Sequence, residues 1–172
     1  MLWLLTDAGR LADPRAAVAR LPRGLCGVVL RHDGAADRAG LGRDLARICR
    51  QRRNRLVVAG DWRLAARLHA GLHLRGGRRL PSVVRGQMIT SSAHSIIEGR
   101  RARRAGAAVV FLSPAFATAS HPGAAGLGAV RWAALAKQAG GAMAALGGLD
   151  GARVRRLAPR WLVAVGAIGG LS

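Results

Sequence analysis

Eight short strand candidates, most of them apolar, are separated by segments of helical spacing, and they constrain the fold of this chain more than any other feature. The candidates cover residues 2–6, 27–31, 56–60, 72–74, 88–93, 108–113, 142–147 and 161–167. Most of them are continuously apolar instead of alternating, which is typical of parallel strands that are covered on both faces. Because an open doubly wound sheet usually has about five to seven strands, eight such units predict a closed (β/α)8 barrel.

The barrel is predicted to be small, with some of its outer helices reduced or missing. Helical spacing occurs at residues 14–21, 36–51, 62–69, 95–105, 127–139 and 151–157, whereas a barrel of this type typically has about 250 residues. The stretch between Leu74 and Arg85 contains a glycine pair and Pro81, so we expect a reduced helix after strand 4. Few residues follow Ile168, so no helix is expected after strand 8. Because part of the strand surface would then lack a cover, we predict a homodimer.

Length and composition indicate one domain, spanning residues 1–172, with enough hydrophobic content (51%) for a core. No uncharged apolar run approaches the length of a membrane span. The first residues lack the basic start of a signal peptide, so none is expected. Cys26 and Cys49 are too few and too far apart for a metal site, and we expect reduced thiols in a cytoplasmic protein.

The formal charge of +20 comes from 28 basic residues against 8 acidic ones. Such a charge attracts polyanions, nucleic acid included. However, Lys137 is the only lysine, the arginines are scattered, and alanine and glycine are abundant. A codon bias towards GC produces this skew without selection for a ligand. Aromatic residues make up only 3% of the chain, so no platform for stacking bases is visible, and we predict no specific nucleic-acid partner.

Two loops that follow strand candidates carry the residues most suggestive of function. After Leu112 the chain reads Ser113-Pro114 and continues through small and hydroxyl-bearing residues, and a later run ends in Gly147-Gly148. In barrels of this type the active site is built from such loops, and phosphate commonly lies beside the seventh and eighth. Since glycine turns can present backbone amides to phosphate, we predict a phosphorylated small-molecule ligand.

Short motifs along the chain resemble, in order, the consensus motifs of one enzyme family. They are Leu5-Thr6-Asp7, Val28-Val29-Leu30-Arg31, Asp61, Gly71-Leu72-His73-Leu74, Ser92-Ala93-His94-Ser95, residues 112–120, residues 145–149 and residues 163–168. With these motifs the chain resembles thiamine phosphate synthase and its TenI-type relatives, which are small (β/α)8 barrels. No single motif is specific, but together they cover almost the whole chain.

The resemblance implies a transferase of thiamine biosynthesis that joins hydroxymethylpyrimidine diphosphate to thiazole phosphate, giving thiamine phosphate and pyrophosphate. It implies substrate or phosphate contacts at Arg31, Ser92, Thr118, Ser120, His121, Gly147, Gly148, Gly166 and Ala167. It also implies Mg²⁺ as cofactor, with Asp61 as the metal ligand that this chain retains. The catalytic residue itself is not assigned.

Several family positions differ in this chain. The glutamine and lysine that grip the diphosphate in the family are replaced by Val29 and Asp33, and a further lysine is replaced by His121. The stretch that carries a second metal-binding carboxylate reads Arg75-Gly76-Gly77-Arg78 here. Asp61 with phosphate oxygens and water could still hold Mg²⁺, or Arg78 or Arg79 could supply fixed positive charge in its place.

Alternative readings follow from these differences. Asp61 could cap the helix that starts at Trp62 instead of binding a metal, and His73 fits a core histidine better than a catalytic one. For the whole protein, the rivals are a diverged enzyme for another phosphorylated heterocycle and a catalytically silent barrel that binds a phosphorylated thiamine precursor. Non-specific binding of polyanions through the arginines is a third.

Overall fold

Eight parallel strands close into a barrel in the order in which they occur along the chain. The structure is a computed structural model, and it describes residues 1–77, 86–118 and 125–168. The strands are β1 (Leu2–Leu5), β2 (Cys26–Leu30), β3 (Arg55–Ala59), β4 (Gly71–Leu74), β5 (Ile89–Ala93), β6 (Val109–Leu112), β7 (Met143–Leu146) and β8 (Leu162–Ile168). Strand β1 pairs with β8 through Leu4 and Ala167, which closes the barrel. The predicted (β/α)8 fold is confirmed.

Helices separate most of the strands and begin where the sequence offers capping groups. They are α1 (Arg15–Arg20), α2 (Arg38–Gln51), α3 (Trp62–Arg67), α4 (Ile96–Arg104), α5 (Gly128–Gln138) and α6 (Gly151–Arg156). The side chains of Asp37, Asp61, Ser95 and Asp150 each accept a hydrogen bond from a backbone amide in the first turn of α2, α3, α4 and α6. The sequence predicts the cap at Ser95, because Ser95 precedes a stretch of helical spacing and Glu98 follows three residues later, and the structure confirms it. Within the parts of the chain described here, no helix is long and apolar enough to cross a membrane.

Apolar side chains fill the barrel and cover both halves of its outside. Trp3, Leu5, Phe111 and Leu146 are among the buried residues inside the barrel, where the Trp3 and Phe111 rings meet edge to face at 5.6 Å. A Cβ at Gly27 would lie 2.4 Å from the Trp3 ring, so only glycine fits there. Two larger clusters lie between the strands and the helices. Both cysteines are free and buried, and burial raises the pKa of Cys49 to about 12.

Two predictions about missing helices lie largely outside the described residues. Residues 78–85, in the connection from β4 to β5, and residues 169–172, after β8, belong to the parts that the structure does not describe. The reduced helix after strand 4 and the missing helix after strand 8 therefore stay predictions, as does the homodimer that follows from them.

Candidate active site

A cavity of about 960 Å³ opens at the carboxyl ends of the strands. Among the described residues, every strand except β3, or the loop after it, contributes to the lining, and α4 adds two side chains. The lining residues are Leu5, Arg10, Arg31, Asp33, His73, Arg75, Gly76, Ser92, His94, Glu98, Arg101, Ser113, Pro114, Thr118, Leu146, Gly147, Gly148, Leu149, Gly166, Ala167 and Ile168. Ligand pockets commonly have volumes of about 300–1,000 Å³, so this one can hold a small organic molecule.

The cavity brings together all the described residues that the sequence assigned to substrate contact. They are Arg31, Ser92, Thr118, Gly147, Gly148, Gly166 and Ala167. Ser120 and His121 lie outside the described residues, as do Arg78 and Arg79. Asp61, the predicted metal ligand, is not part of the lining.

Arg31 is held at the cavity by a buried hydrogen-bond network between β1 and β2. The Thr6 hydroxyl oxygen accepts a hydrogen bond from the Arg31 amide at 3.0 Å and lies 2.9 Å from His32 Nδ1. His32 Nε2 lies 3.0 Å from the Leu11 carbonyl oxygen, which can only accept, so Nε2 donates. In the neutral ring, Nδ1 then accepts from Thr6. One guanidinium nitrogen of Arg31 lies 3.6 Å from the Asp7 carboxylate, so the network fixes the Arg31 backbone and Asp7 orients the guanidinium.

A chain of alternating charges runs from β3 to β4 along one side of the cavity. The Arg38 guanidinium lies 3.8 Å from an Asp61 carboxylate oxygen and 3.0 Å from Asp33 Oδ1. It also donates a hydrogen bond of 2.7 Å to the Ala59 carbonyl at the end of β3. The second Asp33 oxygen accepts from Arg75, which lines the cavity. We call Asp61, Arg38, Asp33 and Arg75 the charge chain.

Asp61 and its surroundings do not fit a Mg²⁺ ion. One carboxylate oxygen accepts from the Leu64 amide at 2.9 Å as the cap of α3, and the other faces the Arg38 guanidinium. A guanidinium that close repels a divalent cation. Among the described residues, no three His, Cys, Asp or Glu side chains are grouped so that they could hold a metal. The magnesium prediction itself stays untested.

His73 lies in the wall of the cavity and is buried. Its Nδ1 lies 2.8 Å from the Thr90 hydroxyl oxygen, and its ring is 5.8 Å from that of Phe111. Burial, assisted by the charges of Arg31 and Arg75, lowers the pKa of His73 to about 3. The His73 ring is therefore neutral near pH 7. The sequence-based view of His73 as a core histidine agrees with its burial.

Serine hydroxyls of strand β5 hold the loop that follows β4. Ser91 Oγ accepts a hydrogen bond from the Gly77 amide at 3.1 Å, and Ser92 Oγ accepts a longer one from Gly76 at 3.4 Å. Glu98 accepts from the His94 amide at 2.7 Å, and His94 Nδ1 lies 3.2 Å from the same carboxylate. The serine contacts position the loop that carries Arg75. The Glu98 carboxylate is paired with His94.

The glycine pair after β7 is required by a close approach of two loops. The backbone of Gly148 has φ +62°, and a Cβ there would lie 2.4 Å from the Ala117 carbonyl oxygen and 2.6 Å from that of Phe116. The Phe116 amide donates to the Gly147 carbonyl at 3.1 Å, which joins the loops after β6 and β7. Neither glycine amide donates to an acceptor within the described parts of the chain.

Sequence reasoning did not assign four of the charged residues that shape this site. Arg10, Arg75 and Arg101 line the cavity, and Arg38 organises its edge. Arg75 directly follows β4 at the end where barrel sites form, so its position was a usable signal. Arg38 opens α2, and nothing in the sequence indicates that its side chain would reach the end of β3.

The profile of the family described as thiamine monophosphate synthase matches residues 2–170 of the chain. The chain belongs to the thiamine monophosphate synthase family. Among solved structures, the chain is similar to thiamine phosphate pyrophosphorylase from Pyrococcus furiosus, with 18% identity and a TM-score of 0.77, over 97% of this chain and 84% of that one. It is also similar to thiamine phosphate pyrophosphorylase from Bacteroides thetaiotaomicron, with 17% identity and a TM-score of 0.66, over 99% and 83% of the two chains. A comparison with curated protein sequences finds no match.

The two solved structures support the fold, and the profile establishes the family that the sequence motifs indicated. Both identities are low, so the activity of this member depends on its own cavity residues. This chain presents arginine and glycine at the cavity, and the carboxylates of Asp33 and Glu98, the two among the described lining residues, are already paired.

Proposed function

We propose that this protein is a thiamine phosphate synthase-like transferase, which condenses hydroxymethylpyrimidine diphosphate with thiazole phosphate. In this reaction the bond between the pyrimidine methylene and the diphosphate oxygen breaks. The thiazole nitrogen forms the new carbon–nitrogen bond, and thiamine phosphate and pyrophosphate are released. The observation that carries the proposal is one cavity, in a member of this family, that combines arginine side chains with a glycine turn whose amides have no described acceptor.

The charge of the cavity supports a reaction in which a diphosphate departs. Arg10, Arg31, Arg75 and Arg101 line it against Asp33 and Glu98, an excess of two positive charges among the described residues. Negative charge on the leaving diphosphate grows as its bond to carbon breaks. Fixed positive groups that meet this charge lower the barrier to the bond breaking.

The opposite side of the cavity suits the second substrate. The amides of Gly147 and Gly148 can donate to a phosphate, and the apolar side chains of Leu5, Leu146 and Ile168 can enclose a flat heterocycle. Glycine at position 166 lets these apolar side chains pack together, since a Cβ there would lie 3.0 Å from Leu146 and 3.2 Å from Leu5. The apolar side chains of the lining also help to keep water from the electron-poor methylene group.

The test is to incubate the purified protein with both substrates, with and without Mg²⁺, and to measure thiamine phosphate and pyrophosphate together. We expect both products in equal amounts. Arg31→Met should lower kcat/KM by about tenfold or more, because a charged hydrogen-bond donor is lost. Arg43→Met, which removes an exposed arginine of α2, is the matched control and should leave turnover unchanged.

If neither product forms, with Mg²⁺ or without it, the synthase proposal is contradicted. Binding of thiazole phosphate without turnover would then favour the catalytically silent barrel. Turnover of another phosphorylated heterocycle would favour the diverged enzyme.

Two further expectations belong to this proposal. A homodimer is supported by exposed apolar side chains on neighbouring helices, Ile97 of α4 (69% exposed) and Val130 of α5 (87% exposed). Light scattering of the purified protein would measure its mass. A cytoplasmic location is expected for an enzyme that uses phosphorylated intermediates, and cell fractionation would test it.

A further inference from the structure

The charge chain lies at the one strand end, β3, that does not contribute to the cavity among the described residues. There the Arg38 side chain is only 17% exposed and contacts the β3 carbonyl of Ala59, the Asp33 carboxylate and the Asp61 carboxylate. A guanidinium surrounded by three oxygen-bearing groups has the position that a bound cation would otherwise take. Arg38 therefore supplies a permanent cation at this place.

Asp33 connects Arg38 to Arg75 through its two carboxylate oxygens. One Asp33 oxygen is held by Arg38, so the carboxylate cannot rotate freely, and its other oxygen holds Arg75. Arg75 uses one terminal nitrogen for this contact, and a guanidinium has five N–H donors. Its remaining donors are available at the cavity, where Arg75 is 55% exposed.

We infer that the diphosphate is bound in this protein by a preorganised arginine, Arg75, fixed through Asp33 and Arg38, and that this binding needs no divalent metal. This inference rests on the proposed function, in which the diphosphate belongs to the pyrimidine substrate. Asp33 is a positioning residue, since it acts on the ligand through Arg75. Asp61 serves as the cap of α3 and as a counter-charge for Arg38.

The test measures the binding of inorganic pyrophosphate by calorimetry, once in excess EDTA and once with Mg²⁺. We expect binding in EDTA to be at least as tight as with Mg²⁺, because the ion competes with Arg75 for pyrophosphate oxygens. Arg75→Met should weaken binding by about tenfold or more. The matched control Arg43→Met removes the same charge at an exposed site and should change it by less than about twofold.

Asp33→Asn distinguishes a positioning role from a simple charge effect, because the two roles change the affinity for pyrophosphate in opposite directions. If Asp33 were only a nearby negative charge, its removal would tighten pyrophosphate binding. If it positions Arg75, binding weakens, and it weakens no further when Asp33→Asn is added to Arg75→Met. Asp61→Asn preserves the helix cap and removes the carboxylate, so it should leave the response to Mg²⁺ unchanged.

Binding that occurs only with Mg²⁺, or that is unaffected by Arg75→Met in a folded protein, would overturn the inference and leave the proposed synthase reaction standing. Tighter binding in Asp33→Asn would overturn the positioning role. Absence of pyrophosphate binding under both conditions would overturn the inference together with the proposed function. Circular dichroism of each variant shows whether it is folded.

Discussion

The two sides of the cavity recognise anions with different parts of the chain. On the side of β2 to β4, Arg31 and Arg75 provide charge, and buried or paired residues such as Thr6 and Asp33 hold them. On the side of β6 to β8, glycine turns bring backbone amides to the surface, and the Gly147 carbonyl joins the neighbouring loop. Side-chain recognition depends on electrostatics and salt, whereas backbone recognition depends on the close packing of loops. The two sides should therefore respond to different mutations.

The largest effect is expected on the backbone side, at Gly148. Gly148→Ala should lower the free energy of unfolding by about 3 kcal/mol or more, because the new Cβ would overlap the carbonyl oxygens of Phe116 and Ala117. Gly24→Ala is the matched control, since Gly24 also has a positive φ, +73°, but nothing within 4 Å of its missing Cβ. The control should cost only about 1 kcal/mol. Urea unfolding measures both, and equal costs would show that the loops are not tightly joined.

Because of this packing, a bulky residue at position 148 cannot show whether phosphate binds at the glycine amides. Gly148→Val would displace the loop after β6, so lost ligand binding would not locate a phosphate at the glycine amides. Gly147 is a gentler site, since the nearest atoms to a Cβ there are 3.3 Å away, in Pro114.

A smaller effect is expected beneath the charged side. Thr6→Val keeps the shape of the side chain but leaves the Arg31 amide and the buried His32 Nδ1 without their partner. We expect a loss of about 2 kcal/mol in unfolding free energy and weaker pyrophosphate binding, because Arg31 is no longer held. Thr6→Ser retains the hydroxyl group and should restore most of both. If Thr6→Val reduced stability but left binding unchanged, the network would support the barrel without orienting Arg31.

The smallest effect expected near neutral pH concerns His73, because its contribution to stability changes only in acid. Its pKa is about 3 in the folded protein against an ordinary value of 6.5, so between these values the unfolded chain binds more protons. Stability should therefore fall as pH decreases from 6.5 towards 3, by at most about 1.4 kcal/mol per pH unit, and should show no contribution from His73 above 6.5.

His73→Gln should reduce this slope, measured as urea unfolding at a series of pH values. The control is His69→Asn, which removes an exposed histidine from a backbone position of φ 50° that asparagine tolerates. An unchanged slope in His73→Gln would mean that the arginines on the charged side and the buried environment do not hold the ring neutral.

The sequence was sufficient to predict the barrel, and the physical reason is local. Apolar runs and helical spacing reflect burial within a few residues of each other, so eight strands and six helices could be located with errors of one or two residues at their ends. The glycine loops could be assigned to the cavity because parallel strands of a barrel all end at one face. Ser95 showed its capping role through its position before α4.

The tertiary structure alone decided how the charges are paired and why Gly148 has no side chain. Asp33 and Arg75 are 42 residues apart and meet only because β2, β3 and β4 lie side by side in the closed sheet. Asp61 was equally consistent with a metal ligand and a helix cap, and the path of the chain into α3 provided its cap contact. Gly148 must be glycine because two loops approach within atomic contact. Local patterns in a sequence report burial and turns, whereas contacts between distant loops exist only after the barrel has closed.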